Sequence, residues 1–180
     1  MKIISGKLKS RIISIKKKYK IRPTTNLMRK ILFEWLSKYI ANAKCLDCFA
    51  GSALLSIESV SRYANYVTTI EKNFYIYNNI LKNIKRLSIK NINVINANIL
   101  YWLNSNGTPY DIIFLDPPFN NKIIERVIYL LEKNNWTKQN TLIYIETQKK
   151  KHIKIPKKWF TFKKKNIGEA SGVLYLVKKK

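Results

Sequence analysis

Apolar residues recur along this chain in two rhythms, which alternate from residue 43 onward. Short runs rich in Ile and Val have the composition of strands covered on both faces, and longer stretches repeat an apolar residue every three or four positions, as amphipathic helices do. Such alternation is typical of βαβ units and predicts a parallel sheet with helices on both faces. The predicted strands are 43–49, 66–71, 92–96, 110–115 and 140–147, and the helices between them are 52–63, 73–88, a short one near 98–104, and 120–134.

The two ends of the chain predict additional structure. Residues 1–20 alternate loosely between apolar and basic positions, which predicts a short basic β-hairpin, and residues 27–40 follow with the spacing of a helix. Segments 159–162 and 173–177 are extended candidates separated by glycines, and they predict an antiparallel hairpin at the sheet edge. The predicted fold class is therefore α/β, with a doubly wound, mostly parallel, seven-stranded sheet. The predicted units are a hairpin extension, 1–22, and a main domain, 23–180.

Length and composition limit the class of protein. A chain of 180 residues with 46% hydrophobic residues predicts a single folded domain with a substantial core. No apolar run approaches the roughly 18 residues that a membrane span requires. Because no signal-peptide hydrophobic region follows Met1, we expect the protein to be cytoplasmic.

The net charge of +25 is distributed unevenly along the chain. Residues 1–44 carry 13 Lys and Arg against one acid and residues 148–180 carry 12 Lys against one acid, whereas residues 45–147 carry 10 basic and 8 acidic residues. Because clustered Lys and Arg provide affinity for phosphate backbones, this distribution predicts a polyanionic partner. Binding to a membrane surface is the competing interpretation, but it requires a basic amphipathic helix, and both ends are predicted to be extended.

The chain lacks the residues that several other chemistries require. Cys45 and Cys48 form a single Cys-x-x-Cys pair, which does not support a four-ligand zinc site. We expect a structural role rather than a redox role, with the two thiols on opposite faces of the sheet or divided across the end of the strand. His152 is the one histidine and lies in a Lys-rich stretch, so a hydrolytic triad is not predicted. Ser52 lacks the glycine frame of a nucleophile elbow. The sequence therefore predicts no metal site and no covalent nucleophile.

The strand at 110–115 runs directly into Asp116, Pro117, Pro118 and Phe119. Ligand sites in open α/β sheets lie at the carboxyl ends of strands. The two prolines keep this stretch out of a helix, so its carbonyl groups and the Asp116 carboxylate can face a donor such as an exocyclic amino group. Phe119 is placed to stack on a flat ring. These residues predict a site for the amino group of a nucleobase, with an ordinary Asp-Pro turn as the plainer alternative.

Residues suited to a nucleotide-type cofactor follow the first three predicted strands. Asp47 precedes a turn at Gly51, where such ligands bind in doubly wound sheets, although a single glycine does not support NAD binding. Glu71 can accept both hydroxyls of a ribose, or it can serve only as an acid before the next helix. Asn98 can bond the edge of an adenine, or it can cap the short helix that follows.

The combination of these motifs resembles an S-adenosylmethionine-dependent methyltransferase that acts on an exocyclic amine. Longer segments resemble the bacterial RsmD family, which are guanine-N2 methyltransferases of small-subunit ribosomal RNA. The resemblance covers nearly the whole chain in the same order. The segments that carry it start at Arg22 (Arg-Pro-Thr-Thr-Asn-Leu-Met-Arg), Cys45 (Cys-Leu-Asp-Cys-Phe-Ala-Gly-Ser), Asp116 (Asp-Pro-Pro-Phe), Leu142 (Leu-Ile-Tyr-Ile-Glu) and Gly172 (Gly-Val-Leu-Tyr).

The resemblance implies a Rossmann-like methyltransferase fold, S-adenosyl-L-methionine as cofactor and 16S rRNA or the small ribosomal subunit as partner, with the protein expected to be a monomer. It also implies that the basic hairpin and tail hold RNA phosphates. The implied catalytic residues are Asp116, Pro117, Pro118 and Phe119. The implied cofactor-binding residues are Arg22, Thr24, Asp47, Phe49, Ala50, Gly51, Glu71, Asn98 and Ile99.

The chain departs from the family pattern at three positions. Ala53 and Ser56 stand where members usually carry glycine, and Lys30 stands where they usually carry glutamate. We expect the β-carbon of Ala53 to crowd the methionine end of the cofactor. Two other functions stay open at this point. One is a DNA adenine-N6 or cytosine-N4 methyltransferase, which usually needs a target-recognition insert, and the other is a non-catalytic RNA-binding or ribosome-assembly protein.

Overall fold

The structure is a computed structural model that describes residues 1–14, 25–117 and 121–178, with Asn121 and Lys122 described by their backbone alone. Its strands are β1 Lys44–Asp47, β2 Tyr66–Glu71, β3 Ile92–Asn96, β4 Ile112–Leu115, β5 Leu142–Gln148, β6 Trp159–Ile167 and β7 Ala170–Val177. They form one sheet in the order β3-β2-β1-β4-β5-β7-β6. The first five strands are parallel, and β7 pairs antiparallel with both β5 and β6.

Helices cover both faces of this sheet. They are α1 Asn26–Trp35, α2 Leu54–Ser61, α3 Phe74–Arg86, α4 Ile99–Trp102 and α5 Asn121–Lys133. One hydrophobic cluster contains side chains of α1, α2 and one face of the central strands, and a second cluster contains side chains of α4, α5 and the other face. This arrangement confirms the predicted doubly wound α/β class with an antiparallel C-terminal hairpin. Within the described ranges, no helix is long and apolar enough to cross a membrane.

The two cysteines lie on opposite sides of β1, as predicted. Cys45 packs in the cluster with α1 and α2, whereas Cys48 packs in the cluster with α4 and α5. Both are free and buried, and burial raises the pKa of each thiol. A buried thiol with a raised pKa stays protonated and inert, which is consistent with a structural role.

The two largest differences between observed and predicted element boundaries are at the ends of α1 and β6. Helix α1 ends at Trp35, because the chain then tightens into a turn in which Ser37 N–H donates to Glu34 O and Tyr39 N–H to Leu36 O. Strand β6 extends to Ile167, five residues beyond the predicted end. Its added residues are mostly exposed and polar, so no apolar alternation marks them as a strand.

Residues 1–14 pack against α2 and α3 and share their hydrophobic core. A single antiparallel bridge joins Lys2 to Ile12, and Ile3 and Ile13 are buried in a third cluster with side chains of α2 and α3. Residues 15–20 of the predicted hairpin lie outside the described residues, so the proposed division at residue 22 stays a prediction.

Hydrogen bonds from two helices hold this N-terminal segment in place. Buried Glu58 of α2 accepts the N–H groups of Ile4 and Ser5, at 2.8 and 3.0 Å. On α3, Asn83 both donates to and accepts from the backbone of Ser14, at 2.8 and 3.0 Å. These bonds fix the position of a segment that carries exposed basic residues, namely Lys2, Lys7, Lys9 and Arg11.

Candidate functional site

Four carboxylates gather at the edge of the sheet where the parallel strands end. β1 is followed by β2 and β3 on one side of the sheet, and β4 is followed by β5 on the other, so the connections reverse between β1 and β4. Ligands in open α/β sheets bind at this reversal, outside the carboxyl ends of the strands. Four of the ten acids of a chain with net charge +25 lie at this edge, which makes it the acidic part of a basic protein. They are Asp47, Glu71, Asp116 and Glu146.

Asp47 is the most buried of these acids, with 1% of its surface exposed. Its Oδ2 accepts a hydrogen bond from Ser56 Oγ at 2.5 Å, and Ser56 Oγ in turn accepts one from Thr69 Oγ1 at 2.9 Å. Burial raises the pKa of Asp47 to about 7; the Ser56 hydrogen bond opposes this rise, and the charges of Asp116 and Glu71 add to it. A cationic ligand beside such a buried carboxylate favours its ionised form.

The turn after β1 brings its backbone close to Glu71. Gly51 adopts a left-handed conformation with φ of 51°, which glycine tolerates without steric cost. Its N–H donates to Glu71 Oε2 at 3.0 Å. Ala50 N–H donates to Ile70 O at 3.0 Å, so the turn is fastened to the end of β2. The predicted residues Phe49, Ala50 and Gly51 therefore lie between the two cofactor-type acids.

Ala53 is the N-cap residue of α2. Its φ is 57°, a left-handed conformation at the start of α2, and its side chain is completely buried in the third hydrophobic cluster. The methyl group therefore packs into the interior beside residues such as Ile57. Crowding of a cofactor by this β-carbon stays a prediction.

Glu71 is held by two backbone donors. Its Oε2 accepts from Gly51 N–H and its Oε1 accepts from Asn73 N–H at 2.8 Å. Burial raises its pKa, and these two hydrogen bonds oppose the rise. Each carboxylate oxygen has a second lone pair, so the same group retains acceptor capacity for a diol such as that of a ribose.

Asn98 caps the short helix α4. Its Oδ1 accepts the N–H of Leu100 at 3.0 Å, while the residue itself is exposed and the adjacent Ile99 is buried. Of the two roles left open by the sequence, capping is observed. A contact of its amide group with an adenine stays a prediction, since the side-chain NH₂ still provides donors.

The strip after β4 is described only in its first half. Asp116 is half-buried and Pro117 is buried. Asp116 directly follows β4, which pairs with β1 on one side and with β5 on the other. Burial raises the pKa of both Asp47 and Tyr144, and the charge of Asp116 adds to both rises. The other predicted residues of this region, Pro118, Phe119, Arg22 and Thr24, lie outside the described residues, and their roles stay predictions.

The structure adds residues that sequence reasoning did not select. Ser56 and Thr69 form the hydroxyl chain to Asp47, and Tyr144 Oη donates to Glu146 Oε2 at 2.8 Å. In the structure, all residues of helix α2 are buried although several are polar. Buried polar side chains need partners, so a serine in such a helix indicates a contact with a neighbouring element.

Replacing Ser56 by alanine is expected to weaken cofactor binding at neutral pH about tenfold, because a hydrogen bond to a charged group contributes about 1.5–3 kcal/mol. Without this donor, the pKa of Asp47 rises further and less of the carboxylate is ionised. Calorimetric titration with S-adenosyl-L-methionine measures the effect. Ser59→Ala is the matched control, since Ser59 is equally buried in α2 but donates to Leu55 O. Equal losses of affinity in both variants would contradict a specific role for Ser56.

Among residues 1–14, 25–117 and 121–178, no group of three or more His, Cys, Asp and Glu side chains is arranged to hold a metal ion. The four acids at the carboxyl edge belong to the ends of four different strands.

The sheet order, the glycine turn between two strand-end acids and the Asp-Pro strip after β4 define a Rossmann-like fold of the methyltransferase class. Residues 1–176 match the model of the family described as conserved hypothetical protein 95, and the chain belongs to this family. Relatives in it are named ribosomal RNA small subunit methyltransferase D, which confirms the resemblance to the RsmD family.

Two such relatives and two solved structures illustrate the similarity. The protein of Buchnera aphidicola subsp. Acyrthosiphon pisum is 49% identical over 97% of this chain and 92% of its own length. That of Escherichia coli K12 is 38% identical over 97% and 89%. A structure titled as a putative methyltransferase from Escherichia coli is 36% identical with a TM-score of 0.93, covering 99% of this chain and 98% of that one. A putative methylase from Haemophilus influenzae gives 36% and 0.85, with coverage of 99% and 98%.

Proposed function

We propose that the protein transfers a methyl group from S-adenosyl-L-methionine to the exocyclic N2 amino group of a guanine in 16S ribosomal RNA. The observation that carries this proposal is the position of Asp116 directly after β4, at the carboxyl edge of the sheet where β1 and β2 end in the cofactor-type acids Asp47 and Glu71. Relatives that match nearly the full length of the chain are named for methylation of small-subunit ribosomal RNA, which supports the same substrate class here.

The residues at this edge fit the proposed cofactor. When bound, S-adenosyl-L-methionine supplies a methyl group on a positively charged sulfonium that already contains the leaving group. The buried carboxylate of Asp47 favours a cation, and Glu71 has acceptor capacity for the two ribose hydroxyls. Gly51 allows the backbone to approach a ligand closely, and Ala53 keeps its methyl group inside the core.

Asp116 and Pro117 are proposed to act on the guanine. The amino nitrogen of guanine is a poor nucleophile, because its lone pair is delocalised into the ring. The Asp116 carboxylate and the Pro117 carbonyl accept the two N–H bonds and draw the nitrogen towards tetrahedral geometry. Phe119 stacks on the base, which must be unpaired or flipped out to reach the site. The rate enhancement then comes from alignment and electrostatic stabilisation.

Basic residues on the N-terminal segment are proposed to hold RNA phosphates. Lys2, Lys7, Lys9 and Arg11 are exposed on a segment that Glu58 and the asparagines of α3 fix against the domain. Because the segment is already positioned, binding RNA does not require ordering it first. This supports a preformed electrostatic contact with the RNA backbone.

Cofactor affinity is expected to depend on pH through Asp47. Because its pKa in the free protein is about 7 and a cationic ligand favours its ionised form, affinity for S-adenosyl-L-methionine should fall about tenfold for each pH unit below 7 and level off above it. Stability changes in the opposite sense. The raised pKa stabilises the free protein below the ordinary value of 3.8, and this contribution is lost as the pH rises to about 7.

Calorimetric titrations at a series of pH values measure this dependence. Asp47→Asn should weaken binding and remove the slope between about pH 5 and 7. Asp111→Asn is the control. The ion pair of Asp111 with Lys138 at 2.6 Å and the hydrogen bond from Lys44 N–H help to lower the pKa of Asp111, so this carboxylate should not contribute to the slope. An unchanged slope in the Asp47 variant contradicts the assignment.

Transfer of a labelled methyl group to small ribosomal subunits and to purified 16S rRNA tests the proposed function, followed by mapping of the modified base. Label on guanine N2 supports the proposal. Label on adenine or cytosine of DNA, with none on rRNA, favours a DNA amino-methyltransferase. Absence of cofactor binding in calorimetry favours a non-catalytic RNA-binding protein.

A further inference from the structure

Strand β6 forms one edge of the sheet and is unusually exposed. It lies at the end of the strand order, beyond β7, and every side chain from Phe160 to Asn166 is exposed. Edge strands are commonly protected against pairing with other chains by lysines and by β-bulges. Lys163, Lys164, Lys165 and the irregularity between Thr161 and Lys163 meet that description.

Exposed aromatic rings on the same strand do not serve edge protection. The rings are those of Phe160, 46% exposed, and Phe162, 37% exposed. Tyr39, from the turn after α1, is 45% exposed and meets Phe162 edge-on, with ring centroids 6.1 Å apart. Apolar rings at an unpaired edge favour contact with a partner. Edge protection therefore explains the lysines but not the exposed rings.

Pairing between β6 and β7 assigns these rings and two of the lysines to one face. Lys163 pairs with Leu174 and Lys165 with Gly172. Leu174 packs in the cluster with α1, and paired residues in antiparallel strands share a face. Phe160 pairs with Leu176, which has the same orientation as Leu174.

The bulge and the opposite face complete this assignment. Because the register shifts between Thr161 and Lys163, Phe162 is the extra residue, and its contact with Tyr39 places it on the α1 side. Lys164 pairs with Val173 and therefore points to the other face. A further cation lies on the rings, with Lys178 Nζ 4.1 Å from the centroid of Phe160. The resulting edge-strand surface consists of Tyr39, Phe160, Phe162, Lys163, Lys165 and Lys178.

We propose that the edge-strand surface binds a single-stranded segment of RNA, with bases on the aromatic rings and phosphates on the lysines. Proteins that hold single strands combine stacking rings with a basic track in this way, and stacking tolerates any base. The choice of RNA as partner rests on the proposed function. At about 4.8 Å between neighbouring strands, β6 lies roughly 14 Å across the sheet from β4. The surface therefore contacts nucleotides other than the target base.

Fluorescence anisotropy with a fluorescein-labelled 12-nucleotide oligouridylate tests the surface on the full-length protein. Phe160→Ala combined with Phe162→Ala should weaken binding at least about tenfold and leave its salt dependence nearly unchanged, because stacking is lost while the phosphate contacts remain. A duplex of the same length should compete less well, since its bases are not available for stacking.

Two adjacent lysines provide a matched pair of substitutions. If RNA were attracted only by the overall positive charge of the protein, the two substitutions would have the same effect. Lys163→Glu should weaken binding about fivefold and reduce its salt dependence, whereas Lys164→Glu, on the other face of the same strand, should change it less than twofold. Equal effects of the two substitutions overturn the proposal, as does unchanged affinity of the phenylalanine variant. Thermal unfolding of each variant checks that the fold is retained, and the exposed lysine pair serves if the double phenylalanine variant does not fold.

The outcomes also separate this surface from the proposed function. Methyl transfer to rRNA without any effect of the edge variants on oligonucleotide binding overturns the surface and leaves the function intact. Oligonucleotide binding that depends on Phe160 and Phe162, in a protein that transfers no methyl group, supports the surface and contradicts the function. If the edge variants change the molecular mass of the protein in sedimentation but leave its affinity for RNA unaltered, the surface is a contact between two copies of the chain. That result overturns the proposal.

Discussion

Asp116→Ala is expected to lower the rate of methyl transfer by at least about 10²- to 10³-fold, which is the loss typical of removing one group that stabilises developing charge in a transition state. The carboxylate is the proposed acceptor for the guanine amino group, so its removal leaves that group without orientation. Cofactor affinity should change by less than about threefold, because Asp116 acts on Asp47 only through its charge. Single-turnover methyl transfer and calorimetric titration measure the two effects separately.

Asp111→Ala is the matched control for this experiment. Asp111 immediately precedes β4 at its amino end, whereas Asp116 follows its carboxyl end, and it pairs with Lys138 far from the candidate site. Its loss should lower stability slightly and leave the rate of transfer unchanged. If Asp116→Ala reduces transfer and cofactor binding equally, Asp116 belongs to the cofactor pocket and the proposed role is wrong.

Glu71→Gln is expected to weaken binding of S-adenosyl-L-methionine by about 10- to 100-fold, because charge-assisted hydrogen bonds contribute about 1.5–3 kcal/mol each. The amide keeps one acceptor oxygen but presents an NH₂ group to one of two backbone donors. Either Gly51 N–H or Asn73 N–H then loses its acceptor, so the turn is weakened as well. Calorimetric titration gives the affinity, and saturating cofactor should restore most of the rate.

Glu34→Gln is the matched control for Glu71→Gln. It makes the same change of charge at an exposed position of α1 and should leave the affinity for S-adenosyl-L-methionine unchanged. A Glu71→Gln variant with normal affinity but a lower maximal rate would place Glu71 in the chemical step. That result would contradict its assignment to the ribose.

The positions of Asp47, Glu71 and Asp116 at one edge were predictable from sequence. Hydrophobic runs mark where each strand ends, and in a parallel sheet all of these ends lie on the same side. The general rules for βαβ units reduce the possible strand orders to a few, and the observed order is known from the structure. The convergence of the acids after the strands can therefore be predicted without knowledge of any side-chain contact.

The contact of Ser56 with Asp47 was not predictable in the same way. It depends on the rotation of α2 about its axis, and a helix buried on every side shows no polar face from which that rotation can be read. The conformation of Ala53 was not predictable for a related reason. Alanine rarely adopts a positive φ, so nothing in the sequence indicated a turn that directs its methyl group into the core.

The docking of residues 1–14 has a consequence for the order in which the chain folds. The bonds from Glu58, Ser61, Asn79, Asn83 and Arg86 to this segment join residues 53 to 74 positions apart in sequence. Closing such long loops is slow compared with forming a helix. Residues 1–14 therefore reach their final position only after α2 and α3 have formed.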